Sequence, residues 1–431
     1  MEASSVVAGE PARDAVYAKI LRRLIPFLLM CYIIAYLDRI NVGFAKLQML
    51  GDLQFTETVY GLGAGIFFIG YVVFEIPSNI VLMRVGARLW IGIIMIVWGV
   101  ISAAMIYVAS APTFYVLRFL LGVAEAGFIP AVLYYLTLWF PSTHRGKASA
   151  MFLAGIPLSG IIGGPVSGWI MNSFNGAMGM AGWKWVFFLE ALPAIVLGGI
   201  CFTYLDNDVT SAKWLNSAEK DQVKRDLLAE AGGKALHSVR DGLLNGRVWL
   251  LASTYFFFTM GLYGISFWLP SIIQASGVAD PLDVGMLTAL PYIAALIAMI
   301  VVGRSSDKHK ERRWHLALSA VTGAIGLTVS VMFADNTAIS LAALTLAAMG
   351  IIPCVPQFHT LMPSITSGAA AAMGFAVANS VGSIAGFISP YLLGWVKDTT
   401  GSTSIGVMVL AAALVTGALM VFANPAKLLN R

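Results

Sequence analysis

Two arginines and two acids carry the chemistry that this sequence suggests. Asp38 and Arg39 are adjacent in one apolar run, and Arg118 and Glu125 lie seven residues apart in another. Seven residues is nearly two helical turns, so Arg118 and Glu125 would point along one face, about 10 Å apart in height. A charge facing lipid at the centre of a membrane helix costs about 2.5–3.5 kcal/mol or more, so all four groups must face protein or a wet cavity. If they share a cavity, the consequence follows from charge counting. With both acids ionised the arginines are paired internally. With both protonated, two guanidiniums are free to hold a carboxylate bidentately. Proton binding and anion binding would then favour each other by linkage. Asp38 and Glu125 are therefore candidate proton-coupling groups, and Arg39 and Arg118 candidate anion ligands, with Tyr36 and Asn41 nearby. A purely structural ion-pair cluster is the alternative reading of the same residues.

Two further acids lie within apolar runs. Glu75 falls in the stripe Tyr71, Glu75, Asn79 and reads as a helix-end contact with loop cations, while Glu190 reads as structural, just inside a Trp183-Lys184-Trp185 belt. The second half of the chain has no ionised group deep in an apolar run. Its polar candidates are Tyr255, Tyr263, Gln357, His359, Asn379 and Ser380, which would orient a ligand rather than charge the site. His359 is either a ligand or a hydrogen-bonded filler.

The elements that must position these groups are membrane spans. Of 431 residues, 58% are hydrophobic and 11% charged, and the mean hydropathy is +0.82. A soluble domain is about a quarter charged, so neither a water-soluble globule nor a disordered chain fits. Cys31, Cys201 and Cys354 all lie in apolar runs, which suggests neither a disulfide framework nor a metal site, and no cofactor is expected. With a window of roughly 20 residues, twelve spans emerge: 24–44, 58–82, 89–109, 112–138, 147–172 and 184–205, then 248–272, 282–303, 314–333, 338–362, 368–396 and 404–423. The expected organisation is a segment 1–23, a six-helix bundle 24–205, a central loop 206–247, a second bundle 248–423 and a tail 424–431. No cleavable signal peptide is expected, because the first ~20 residues lack an apolar core.

Charge sets the expected orientation. Lys and Arg concentrate at the termini and in the loops after even-numbered spans, and only Lys46, Lys184 and Lys397 fall in the opposite loops. Cationic loops stay in the cytoplasm, which places both termini and the central loop there. The formal charge of +5 is explained this way without nucleic acid. The central loop reads as an amphipathic strap carrying Trp214, Leu215, Val223, Leu227 and Leu228.

An internal repeat relates the halves. Asn79-Ile-Val-Leu-Met83-Arg84-Val-Gly86-Ala-Arg88 follows the second span, and Gly303-Arg-Ser-Ser-Asp307-Lys308 through Arg312-Arg313 follows the eighth. Both resemble the Gly-x-x-x-Asp-Arg-x-Gly-Arg-Arg loop of the major facilitator superfamily. In such a loop a carboxylate at one helix end grips cations on a neighbour and latches one conformation, so Arg84, Gly86, Arg88, Gly303, Asp307 and Arg312 are candidate gating residues. Met83 in the acidic position weakens the first copy. Two related halves around a midplane site suit a carrier. Gly160-x-x-x-Gly164-Pro165-x-x-Gly168 resembles the glycine–proline motif of antiporters in this superfamily, but close helix packing is the safer reading and the motif says little about direction.

The resemblance extends to one family. Tyr36-Leu-Asp38-Arg39-Ile-Asn41-Val-Gly43-Phe44-Ala45, Glu75-Ile-Pro77-Ser78-Asn79, and Arg118-Phe-Leu-Leu-Gly122-Val-Ala-Glu125 resemble the anion:cation symporters. So do Trp139-Phe140-Pro141, Glu190-Ala-Leu-Pro193 and Asn379-Ser380. That resemblance implies import of organic anions such as aldonates, hexuronates, tartrate, phthalate or hydroxyphenylacetate, mostly with protons. It implies functional roles for Arg39, Arg118, Glu125 and Asp38. The first segment is most similar to the tartrate, phthalate and hydroxyphenylacetate branch. Phe358-His359 departs from the Phe-Trp common in relatives, which puts any borrowed substrate in doubt.

The expectation is an all-helical membrane protein of two six-helix bundles, a monomer in a bacterial inner membrane. It would import a small carboxylate, aromatic or hydroxylated, with protons. Export, exchange or uniport on the same fold is the alternative, and a non-transporting anion receptor is a third. No nucleophile–base pair or metal-ligand cluster points to an enzyme.

Overall fold

A computed structural model describes residues 10–232, 244–365 and 368–429, with the backbone alone at 10–13, 231–232, 362–365, 368–372 and 427–428. Parts of the expected terminal segments and of the central loop lie outside the described residues. In lipid, every backbone donor and acceptor must be satisfied within the segment, which leaves helices as the means of crossing for so apolar a chain. The described residues accordingly contain helices and no strand, and twelve helical stretches are long and apolar enough to span a membrane.

The first bundle contains α1 (Glu10–Ile40), α2 (Val42–Leu53), α3 (Glu57–Val85), α4 (Ala87–Ala103), α5 (Ala111–Glu125), α6 (Phe128–Thr137), α7 (Ser142–Leu153), α8 (Gly155–Ser173) and α9 (Gly182–Tyr204). A connecting helix α10 (Ser217–Gly232) follows. The second bundle contains α11 (Gly246–Ala275), α12 (Pro281–His309), α13 (Arg313–Met332), α14 (Thr337–Ile365), α15 (Gly368–Thr400) and α16 (Ser404–Phe422). The near face is the end at which α1 begins and α16 ends. The opposite end is the far face.

Three expected spans are interrupted. The first runs on through α2 to Leu53, so Lys46 is not in a loop but buried within the helix. The fifth is divided at Ala154 between α7 and α8. The fourth breaks immediately after Glu125, where Ala126 is extended and Gly127 takes φ +100. A β-carbon at Gly127 would run into Ser78 Oγ, so both the dihedral and the space require glycine there. Periodicity could not show this break, because Ala126, Gly127 and Phe128 continue the apolar run.

The bundles meet along two seams, α3 with α15 and α8 with α12. Glycines let the backbones approach. A β-carbon at Gly65 would stand 2.7 Å from Phe387 O, and one at Gly164 would stand 2.6 Å from Gly285 O. The Gly160, Gly164, Gly168 stripe therefore lines the interface with the second bundle, where small residues replace hydrophobic driving force with close packing.

The near face shows the repeat in three dimensions. Arg88, entering the third span, donates to Phe202 O at the end of the sixth. Arg313, entering the ninth, donates to Phe422 O at the end of the twelfth (2.5 Å). In each half a loop cation thus caps the unsatisfied carbonyls of a helix C-terminus. Asp307, in the last turn of α12, pairs with Arg312 at the start of α13 (3.6 Å), and Arg312 reaches Thr360 O on α14 (3.0 Å). Arg84 is exposed, Gly303 has open space around it, and Gly86 joins α3 to α4 with φ +85.

The strap docks on the first bundle. Trp214 stacks on Trp139 (5.5 Å between ring centres), and the guanidinium of Arg23 lies over Trp214. Along α10, Asp226 accepts from Tyr17 (2.7 Å), Glu219 pairs with Lys19 (2.8 Å) and Glu230 pairs with Arg145 (3.3 Å). Val223 and Leu215 are buried as the amphipathic reading requires, whereas Leu228 is exposed.

Candidate functional site

Arg39, near the end of α1, and Glu125, the last residue of α5, form an ion pair in the bundle interior, with only 4% and 2% of their surfaces exposed. The break after Glu125 ends α5 at this point, an arrangement in which half-helix ends supply polar groups at mid-membrane depth. Arg39 Nη1 also approaches Tyr263 Oη on α11 (3.4 Å). The guanidinium is ringed by Tyr36, Phe67, Phe68 and Tyr71, each with its ring centre 5.3–5.9 Å away. Aromatic faces of this kind hold a desolvated cation by its charge.

Arg118 joins the same locality from α5. It is fully buried, and its guanidinium lies 5.1 Å from the centre of Phe67, the ring Arg39 also touches. Nε and Nη2 donate to Gly63 O (3.3 Å) and Ala64 O (3.4 Å) on α3, while Nη1 has no partner. An unpartnered donor on a buried cation is costly unless something else binds there. Tyr36 shares a hydrogen bond with Ser266 Oγ on α11 (3.2 Å), which brings the second bundle to the rim of the site.

Asp38 departs from the expected four-residue cavity. One position along α1 is a turn of 100°, so it points away from Arg39 and into the first bundle. There Trp98 Nε1 donates to Oδ2 (3.2 Å) and Ser102 Oγ to Oδ1 (3.1 Å). Trp98 and Ser102 are an i, i+4 pair on α4. A polar residue and an indole on one stripe of an otherwise apolar span was the available signal for this partnership.

The second-bundle candidates divide. Asn379 Nδ2 donates to Glu75 Oε1 (2.6 Å), so Glu75 contacts the opposite bundle and not the loop cations expected of it. Gln357 is buried, and neither amide atom has a partner. His359 Nδ1 bonds to Val355 O of its own helix (2.8 Å), while its ring stacks on Phe375 and meets Tyr255 edge-on. No hydrogen bond joins Gln357 or His359 to the arginines among the described residues.

A cluster that the sequence did not suggest closes the far face. Glu57, opening α3, bridges Lys46 on α2 (2.7 Å) and Lys397 on α15. Lys46 Nζ sits 3.4 Å from the ring centre of Trp268 on α11. Asp398 accepts from the backbone N–H groups of Glu57 (3.1 Å) and Thr58 (2.7 Å), an acid of one bundle capping a helix N-terminus of the other. Lys46 and Lys397 are two of the three lysines that the sequence places opposite the basic loops; the third, Lys184, lies over the ring of Trp183.

Twelve spans in two bundles with a repeated loop define a membrane carrier, and the family comparison places it. Residues 28–390 match the model of the Major Facilitator Superfamily, and the chain belongs to that superfamily as one of its transporters rather than an enzyme. It is 50% identical, over 97% of its length and 96% of the other, to a Pseudomonas putida protein named for metabolite transport, NicT. It is 44% identical, over 94% and 93%, to an Agrobacterium vitis protein named as a tartrate transporter. These relatives agree with the anion-transporter branch indicated by the sequence motifs. The fold also matches the inward-facing, occupied crystal structure of a bacterial homologue of the human lysosomal transporter Spinster, with a TM-score of 0.74 at 15% identity over 94% and 96% of the two chains.

Proposed function

We propose that this transporter imports a small organic carboxylate together with protons by alternating access, as a monomer in a bacterial inner membrane with both termini in the cytoplasm. The observation that carries the reading is the buried Arg39–Glu125 pair beside Arg118, whose Nη1 has no partner. Protonating Glu125 would release the Arg39 guanidinium. A substrate carboxylate would then take its place, held by the planar fork that matches it. The surrounding Phe67, Phe68, Tyr71 and Tyr263 favour an anion with an aromatic ring or hydroxyl groups. The relative named for tartrate supports the hydroxylated class. Basic loops on the near face, with Arg84, Arg88, Arg312 and Arg313, support a cytoplasmic assignment of that side.

The test is the external pH of de-energised cells expressing the protein, to which phthalate, hydroxyphenylacetate, tartrate and galactonate are added singly. Alkalinisation with one anion, absent in Glu125→Gln, is the expected result. Entry of an anion with no pH change, or with acidification, would instead show uniport or exchange.

A further inference from the structure

We propose that Asp38 and Glu190 form a second buried acid site, separate from the Arg39–Glu125 pair, that holds a single proton between them. Glu190 lies on α9 with 4% of its surface exposed, accepts from Ser167 Oγ on α8 through Oε1 (2.6 Å), and leaves Oε2 without a partner. Asn41, one turn beyond Asp38 at the α1–α2 junction, stands beside Glu190, and neither atom of its amide is in hydrogen-bonding geometry. A β-carbon at Gly163, one turn before Ser167 on α8, would touch Leu37 (3.4 Å), and one at Gly99, beside Trp98 on α4, would stand 3.2 Å from Ala191 O, so α8 and α4 bring Asp38 and Glu190 into one locality.

The charges around the pair are few. Glu125 is taken up by Arg39, and Arg118 gives two of its nitrogens to Gly63 O and Ala64 O. Neither Asp38 nor Glu190 forms an ion pair among the described residues. The groups that bond to them, Trp98, Ser102 and Ser167, are all neutral donors. Two carboxylates cannot both remain ionised in a low-dielectric interior without a cation between them. One proton resolves the conflict. Placed on Glu190 Oε2, it turns the orphaned oxygen into a donor toward Asn41 Oδ1. Asp38 then keeps the single negative charge, stabilised by Trp98 and Ser102.

Asp38 and Arg39 are neighbours on one helix, so loading this site and occupying the anion site would act on the same segment of α1. That coupling role rests on the symport reading above, whereas occupancy of the site does not.

The experiment is infrared difference spectroscopy on the purified full-length protein in detergent, following the C=O stretch of protonated carboxyl groups in H₂O and D₂O. At neutral pH in potassium buffer, the wild-type protein is expected to show such a band, removed in Glu190→Gln and retained in Glu125→Gln. Should Glu190→Gln fail to fold, Ser167→Ala keeps both acids and must shift the same band. A wild-type spectrum without the band, a band insensitive to both Glu190→Gln and Ser167→Ala, or a band lost in Glu125→Gln would each overturn the proposal. Loss of the band on replacing potassium with sodium would also overturn it, by showing a metal cation in place of the proton. If the band depends on Glu190 but no anion alkalinises the cell suspension, the site stands and the symport reading fails.

Discussion

Asn379 on α15 donates a hydrogen bond to Glu75 on α3, 2.6 Å across the boundary between the two bundles. A carboxylate of the protein thus occupies a donor that the sequence assigns to the substrate. If the two act as one unit, Glu75→Ala and Asn379→Ala are non-additive. The double variant should lose less transport than the product of the singles, with a coupling of ~1 kcal/mol, roughly fivefold in initial uptake rate. Additive losses in that double-mutant cycle would show that the bond does not matter to the transport cycle.

The two arginines are expected to tolerate lysine poorly. Arg39 and Arg118 each use more than one nitrogen or a ring stack, which a point-charge ammonium cannot reproduce. Arg39→Lys and Arg118→Lys should each weaken the apparent affinity for the transported anion by about tenfold to a hundredfold, equivalent to about 1.5–3 kcal/mol for a charged hydrogen bond. Concentration dependence of uptake measures this. A near-wild-type half-saturation in either variant would remove that arginine from the anion site.

At the far face the two lysines that grip Glu57 are not equivalent. Lys46 is 3% exposed and would be left buried and unpaired in Glu57→Gln, whereas Lys397 is about a third exposed. Breaking a buried pair from one side costs about 3–5 kcal/mol, while an exposed partner is worth about 1 kcal/mol or less. Thermal unfolding in detergent should therefore fall much further in Glu57→Gln than in Lys397→Gln. Equal shifts would mean that water reaches Lys46.

Gly127 carries a separate prediction. Replacement by alanine forces an L-residue into the left-handed region at about 1–2 kcal/mol and drives its β-carbon into Ser78. Gly127→Ala should lower the melting temperature, and adding Ser78→Gly should recover only the part due to the clash. Full recovery would show that the dihedral carries no cost, and no loss at all would place the helix break elsewhere.

The sequence made legible what depends on local composition. Apolar runs located all twelve spans, and the seven-residue spacing placed Arg118 and Glu125 in one locality with Arg39. What it could not show depends on which helix lies beside which. Asp38 seemed to belong with the arginines because it adjoins Arg39, yet adjacent residues on a helix diverge by 100°, and its partners come from α4. Glu75 meets Asn379 over 304 residues of sequence, and Lys397 meets Glu57 across the same seam of α3 and α15. No spacing rule reaches that far. The break after Glu125 was hidden for a different reason, because two small residues, Ala126 and Gly127, do not interrupt a window that stays apolar through Phe128 and Ile129.

Every deeply buried Asp, Glu, Lys or Arg side chain named above, from Asp38 and Arg39 through Lys46, Glu75, Arg118 and Glu125 to Glu190, precedes residue 206. All but Glu75 find their direct partners in that same stretch: Arg39 in Glu125, Lys46 in Glu57, Arg118 in Gly63 and Ala64, Asp38 in Trp98 and Ser102, and Glu190 in Ser167. This part of the chain leaves the ribosome first. Its charges can therefore be neutralised or hydrogen-bonded during membrane insertion, before the second bundle has been synthesised. The later bundle, with no such charge buried among its described residues, can partition from the translocon on hydrophobicity and assemble against a partner whose buried charges, Glu75 apart, are already engaged.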